Sequence, residues 1–279
     1  MKKYVKKAIR VAIGINFIWS IIRPFVTFFK KIEFQRRLVE QKPTLDFIKL
    51  TVLQQPAVRN GLFKGLVYPG FEAAGSAVFP KFIGSYESEL IPVFKQVIDG
   101  RYDTILDIGS AEGYYANGLS LTMPEATVYA YDVDERARNI CRQIAQLNGL
   151  ESRVLIGEKM DAAGLANFDF SNKKAFVLSD CEGYEKMLFT KENMHNLKNT
   201  DVLIEVHDLF DLTISAYLRD VFAATHDIRV IASVDDVKKA QMYSFPETDT
   251  LDLNTRRIIF AEGRMAAMEW FYCTPKTSA

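Results

Sequence analysis

The chain is short of cysteine, of net charge and of long apolar runs, and each shortage excludes something. Only three cysteines, Cys141, Cys181 and Cys273, occur among 279 residues, far apart and with no CxxC pair. That spacing argues against a zinc cluster, and so odd and sparse a set argues against a disulfide framework. Free thiols suit a reducing compartment, so a cytoplasmic location is expected. Lysine plus arginine and aspartate plus glutamate number 35 each, so no net field draws nucleic acid, and no nucleic-acid partner is expected. Internal repeats and low-complexity tracts are also missing. What is present is ordinary. Apolar residues at 48% and charged residues at 25% can bury the core of one large domain, or of a domain with an appendage.

The longest apolar run, Val11 to Ile22, is broken by Arg23-Pro24, resumes over Phe25 to Phe29 and closes at Lys30-Lys31. It falls short of the roughly 20 apolar residues that a membrane span requires. No small-x-small cleavage site follows it, as a signal peptide would demand. Lys2, Lys3, Lys6, Lys7 and Arg10 precede it. Two readings of residues 1–31 stay open: a basic, apolar helix lying peripherally on the inner, anionic face of a membrane, or a helix packed on its own domain or on a second subunit of a homo-oligomer.

Residues 32–100 read as a helical segment that covers the active site, and residues 101–279 as the main domain. Glu33 to Gln41 predicts a helix stopping before Pro43, and Leu45 to Leu53 a second one stopping before Pro56. Tyr68-Pro69-Gly70 and Gly75-Ser76 mark turns, and Glu87 to Val97 is amphipathic at helical spacing. From Tyr102 short apolar runs alternate with helical stretches. Strands are predicted at Thr104–Ile108, Thr127–Tyr131, Arg153–Ile156, Ala175–Ser179 and Asp201–Val206, with later ones at Ile228–Ala232, Arg257–Ala261 and Met268–Cys273. Helices are predicted at Tyr114–Leu121, Glu135–Leu147, from about Gly183, and at Leu212–Phe222. The pattern implies an α/β fold: a doubly wound, mostly parallel Rossmann-like sheet with an antiparallel C-terminal edge and an N-terminal helical extension.

In such a sheet the ligand sits at the carboxyl ends of the strands. The first strand here runs into Asp107-Ile108-Gly109-Ser110-Ala111-Glu112-Gly113. Gly109 and Gly113 let backbone approach a ligand, with Ser110 between them, and the helix that follows offers free N–H groups. A dinucleotide site wants GxGxxG around its pyrophosphate, but position 111 is alanine and the next glycine after Gly113 is Gly118. Asp107 would be poor company for pyrophosphate. It suits a ligand carrying an ammonium and a sulfonium, and S-adenosylmethionine is such a ligand. Asp132 ends the second strand, 19 residues after Gly113, where a carboxylate can accept both ribose hydroxyls. Asp134, two residues on, ranks lower. Asp161, after the third strand, is a candidate acceptor for the adenine amino group, with Met160 against the ring.

Two further elements carry a family resemblance. Ser179-Asp180-Cys181-Glu182-Gly183-Tyr184-Glu185 resembles the D-x-E-G-x-E element of FkbM-type methyltransferases, and Leu203-Ile204-Glu205-Val206-His207 resembles the same family's IEVH element. The resemblance covers roughly residues 84 to 210. It implies a class I methyltransferase fold, S-adenosylmethionine as cofactor, and O-methylation of a sugar or small metabolite, so a small-molecule or glycan acceptor is the expected partner. Gly84-Ser85-Tyr86-Glu87 is similar to the segment that folds over the cofactor in related enzymes, which makes Tyr86 and Glu87 cofactor candidates.

Methyl transfer from a sulfonium requires that the acceptor be aligned and its proton removed. Asp180 ends the fourth strand, and the resemblance implies that it faces the methyl group. Glu205 and His207, two apart, project to the same side at the end of the fifth. His207 or Asp180 is the expected base, with Glu205 beside them. The same groups with Asp208 offer ligands for a hard divalent ion such as Mg²⁺. Glu182 has a plainer reading as a helix cap at Gly183. His195 and His226 read as surface residues, Trp270 and Phe271 as packing of the last strand, and Arg256 and Arg257 as a solvated strand start. N-methyl transfer, nicotinamide-dependent oxidoreduction and a membrane scaffold with a degenerate site are the alternatives.

Overall fold

The computed structural model describes residues 6, 14, 16–170 and 173–276. The expected N-terminal helix lies largely outside them before Asn16. The chain divides into two compact units, Met1–Thr51 and Val52–Ala279.

In the first unit one helix spans Asn16–Phe47, and a π-helical turn over Ile48–Leu53 continues the chain into the second. The expected stop before Pro43 does not occur, nor does a separate helix begin at Leu45. Each proline removes one backbone N–H. Both prolines lie on the exposed side of the helix, which continues through Pro24 and Pro43.

The second unit is built on a seven-stranded sheet. Its strands are β1 (Thr104–Ile108), β2 (Thr127–Tyr131), β3 (Val154–Gly157), β4 (Ala175–Ser179), β5 (Asp201–Val206), β6 (His226–Ala232) and β7 (Glu269–Pro275). They lie in the order β3-β2-β1-β4-β5-β7-β6. The first five pair in parallel, and the antiparallel ladders are confined to the C-terminal edge, where β7 runs against both β5 and β6. This is the Rossmann-like, mostly parallel architecture expected. β1 and β4 are buried along their whole length, which is why they read as unbroken runs rather than alternating ones. One side of the sheet packs Leu106, Val177 and Ile204 against Leu188, Leu218 and Phe222. The helix Glu135–Leu147 is capped by Asp134, whose carboxylate accepts from the Arg136 N–H.

Two expectations fail here for tertiary reasons. Arg257–Ala261 is not a strand but the end of a helix, Leu253–Phe260. Asp252 caps it by accepting from the Asn254 and Thr255 N–H groups, and the Arg256 guanidinium donates to the carbonyls of Ala240, Tyr243 and Thr248. Those bonds outweigh the strand preference of Ile258-Ile259. His226 is buried, not at the surface, with Nε2 3.0 Å from the Thr200 carbonyl oxygen, and burial lowers its pKa. Trp270 and Phe271 are fully buried, as read.

Candidate active site

The chain leaves β1 for β2 on one side and returns after β3 to β4 on the other, so a crevice opens at the carboxyl ends of β1 and β4. A cleft of about 380 Å³ lies there. Its lining includes Asp107, Gly109, Ser110 and Asp132 on one side and Asp180, Glu205 and His207 on the other.

The glycines are required by close approaches. Gly109 has φ 81°, and a Cβ there would lie 1.7 Å from the Asp180 carbonyl oxygen. Gly113, φ 83°, begins the helix Tyr114–Thr122, and its Cβ would meet Cys141 Sγ at 2.4 Å. Ala111 and Glu182 adopt left-handed φ of 46° and 50° without being glycine, one in each loop that borders the crevice. Such strain concentrates at functional loops.

Asp107 is buried, and its Oδ2 has no hydrogen-bond partner. Burial, and then the charge of Asp132, push its carboxyl up to about 7. Asp132 Oδ2 accepts from the Ala111 N–H at 2.8 Å, which ties the glycine turn to the end of β2. Asp134 lines the cleft as well as capping its helix. Asp161 is spent differently: it caps the helix Ala162–Ala166 by accepting from the Gly164 N–H at 2.8 Å, and it is not among the cleft's lining residues. Met160 is buried nearby.

A buried ion pair that the sequence reading did not anticipate sits beside this turn. Lys81 Nζ donates to Glu112 Oε1 and, at 2.6 Å, to Ser76 Oγ. Glu112 Oε2 accepts from the Ala74 N–H at 3.1 Å. The ammonium lies 4.7 Å from the centre of the Tyr86 ring and 5.4 Å from that of Tyr114. The pair therefore holds the segment Ala74–Ser76 and Tyr86 at the rim of the cleft.

On the opposite side, the two sequence elements after β4 and β5 meet in one contact. His207 is buried, and its Nδ1 lies 2.5 Å from Glu185 Oε1. Glu185 is fully buried, and its Oε1 also accepts from the Gly183 N–H at 3.2 Å. The other ring nitrogen, Nε2, faces Asp180 Oδ1 and Glu182 Oε2, both at 3.5 Å, and Glu205 Oε2 at 3.9 Å. Phe210 stacks on the imidazole, the planes 20° apart. Burial lowers the His207 pKa, but the hydrogen bond to Glu185 and the charges of Glu205, Glu185 and Glu182 outweigh it, so the net shift is upward. Burial and Glu205 hold the Asp180 carboxyl well above its ordinary value. Glu182 makes no helix-cap bond; the short helix Glu185–Leu188 has no side-chain cap.

Arg264, absent from the sequence candidates, closes this side. Its guanidinium donates to Glu205 Oε1, Glu87 Oε1 and, at 3.1 Å, Glu262 Oε2. Glu87 thus stands behind Arg264 rather than in the lining, with its other oxygen accepting from the Tyr115 hydroxyl. Burial and Glu205 push the Glu87 carboxyl up to about 8 against the pull of Arg264.

Asp180, Glu205 and His207 can each turn one ligand atom to a common point, the three atoms lying within 4.8 Å of one another. Asp208 does not join them; its Oδ1 accepts from the Ser215 N–H at 2.8 Å.

No family model matches the chain, and no curated protein matches it. Among solved structures it is similar to the O-methyltransferase TomG from Streptomyces achromogenes in complex with S-adenosylmethionine, at 12% identity over 69% of this chain and 81% of that one, with a TM-score of 0.45. It is also similar to an O-methyltransferase from Bacillus cereus in complex with S-adenosylhomocysteine, at 13% identity over 69% and 82%, TM-score 0.45. A third likeness is to precorrin-6y C5,15-methyltransferase from Geobacter metallireducens, at 12% over 61% and 78%, TM-score 0.40.

Proposed function

We propose that this chain is an S-adenosylmethionine-dependent methyltransferase acting on a hydroxyl of a small-molecule or glycan acceptor. The observation that carries the reading is Asp107: a buried carboxylate with an orphaned oxygen, opening on the same cleft as His207 Nε2. A buried carboxyl whose ionisation is costly is poor company for pyrophosphate, and a cationic ligand beside it stabilises its ionised form. Bound there, S-adenosylmethionine would supply an electrophilic methyl group, its sulfonium becoming a neutral thioether. Asp107 and Asp132 would accept hydrogen bonds from its polar groups, beside a turn that carries no side chain at Gly109 or Gly113. The resemblance to FkbM-type enzymes supports the same cofactor, and it favours oxygen as the atom methylated.

The acceptor side supplies the base. His207 Nε2 would take the proton of the acceptor hydroxyl. Glu185 keeps the proton of Nδ1 and stabilises the imidazolium that forms. Asp180 lies beside that nitrogen and orients the hydroxyl. Leu209, Phe210, Met265 and Met268 make the cleft wall partly apolar, which suits an acceptor that presents an apolar face next to its hydroxyl. A second reading uses the convergence of Asp180, Glu205 and His207: a divalent ion held by them would acidify the hydroxyl in place of the free histidine. Turnover abolished by a chelator and restored by Mg²⁺ would favour the ion.

Calorimetry on the purified chain with S-adenosylmethionine, S-adenosylhomocysteine and NAD tests the main reading. Heat from the first two and none from NAD is expected. His207→Ala should retain that binding and lose methyl transfer. Heat from NAD alone would overturn the proposal.

A further inference from the structure

The helix Asn16–Phe47 carries an apolar stripe that the rest of its own unit does not cover. At about 100° per residue, Ile21, Phe25, Phe28, Phe29 and Ile32 fall along one side over three turns, roughly 17 Å. Phe25, Phe28 and Phe29 are 64%, 59% and 64% exposed, and Ile21 and Ile32 are exposed as well. Arg23, Thr27 and Lys30 occupy the opposite side, and Lys31 flanks the stripe. A solvated aromatic stripe of this length marks an interaction surface.

Charge identifies the occupant. The first 32 residues hold eight lysines and arginines and no aspartate or glutamate; the first acid is Glu33. The protein as a whole is neutral, so this is a local concentration of positive charge. No described helix is long and apolar enough to cross a bilayer. Aromatic residues on one face, bases on the other and no span are the features of a helix that lies in the interface of an anionic membrane. We propose that this face docks on an anionic phospholipid bilayer, the phenylalanines entering the headgroup boundary and Arg23, Lys30 and Lys31 pairing with lipid phosphates. The proposal stands apart from the methyltransferase reading.

The test is co-sedimentation of the full chain with vesicles of phosphatidylcholine alone or with about 30% phosphatidylserine added. Pelleting is expected with the mixed vesicles at about 0.1 M salt, and partitioning weaker on the order of tenfold on the neutral ones or at high salt. The triple substitution Phe25→Ser, Phe28→Ser, Phe29→Ser should lose pelleting with its thermal unfolding midpoint unchanged. Lys30→Glu with Lys31→Glu should weaken it on anionic vesicles alone. Failure of the full chain to pellet with anionic vesicles would overturn the proposal. So would a self-associated chain, by ultracentrifugation, that the phenylalanine variant dissociates while vesicles have no effect; the face would then belong to a second copy.

Discussion

Asp107 is held where ionisation is costly. Its carboxyl titrates at about 7 instead of 3.8, chiefly because it is buried. With the folded value raised, the stability owed to this group is full below 3.8 and is lost as pH climbs to about 7, after which it changes no more. At about 1.4 kcal/mol per unit the whole loss is about 4 kcal/mol at most. Asp107→Asn should therefore stabilise the ligand-free protein by an increment that grows over that window and then levels, read by urea unfolding at several pH values, while S-adenosylmethionine binding is lost. A gain that did not vary with pH would refute the assignment. His207 makes the complementary case. A base must be unprotonated, and its pKa is raised, so the acid limb of kcat should lie above 6.5. Glu185→Gln removes the charge behind the hydrogen bond that raises it most. The limb should move to lower pH while plateau kcat falls on the order of a hundredfold with KM little changed. A limb that stayed in place would leave Glu185 a merely structural role.

Between elements, the Lys81–Glu112 pair joins the helix Val78–Ile83 and the loop Ala74–Ser76 to the glycine turn after β1. Both side chains are buried, so removing one partner leaves an uncompensated charge. Lys81→Met should lower unfolding free energy by roughly 3–5 kcal/mol. Adding Glu112→Gln should restore most of it, because the stranded charge goes too. Urea unfolding of the two variants checks this; equal losses in both would mean that packing around the lysine stem, not charge, matters. Arg264 does comparable work on the other rim, tying the segment after the helix Leu253–Phe260 to β5 through Glu205 and to the segment before Ser88 through Glu87.

Across the whole molecule the cleft belongs to one unit. Every residue lining the cleft falls between Ala74 and Met268, inside the unit Val52–Ala279. A chain of residues 48–279 is therefore expected to bind S-adenosylmethionine within about twofold of the full chain, a difference of about 0.4 kcal/mol. Calorimetry on both checks it, and a loss beyond about tenfold would give the first unit a part in the site. On this division the first unit would serve location, and the second chemistry.

What was legible in the sequence was local. Asp107, Gly109, Gly113 and Asp132 could be read because strand ends and left-handed turns demand particular residues within a few positions, and Gly109 and Gly113 do sit at positive φ. Asp180, Glu205 and His207 were legible as strand-end residues, and the fold converges them at one cleft. The helix Leu253–Phe260 reads as a strand because its β-branched run is local, whereas the carbonyls of Ala240, Tyr243 and Thr248 that hold Arg256 are not; the long N-terminal helix reads as two because a proline ordinarily ends one. The rest depended on distance along the chain. Lys81 and Glu112 are 31 residues apart, Arg264 lies 59 from Glu205 and 177 from Glu87, and Glu185 meets His207 across 22. No periodicity or turn rule links residues so separated. By itself the sequence determined the alternation of strands and helices, the glycine turn and the acids beside it, because backbone geometry imposes these locally. Only the tertiary structure decided which acid orients the histidine, which cation closes each rim and that Asp161 caps a helix, because each of those depends on which side chains the packed sheet brings within hydrogen-bond reach.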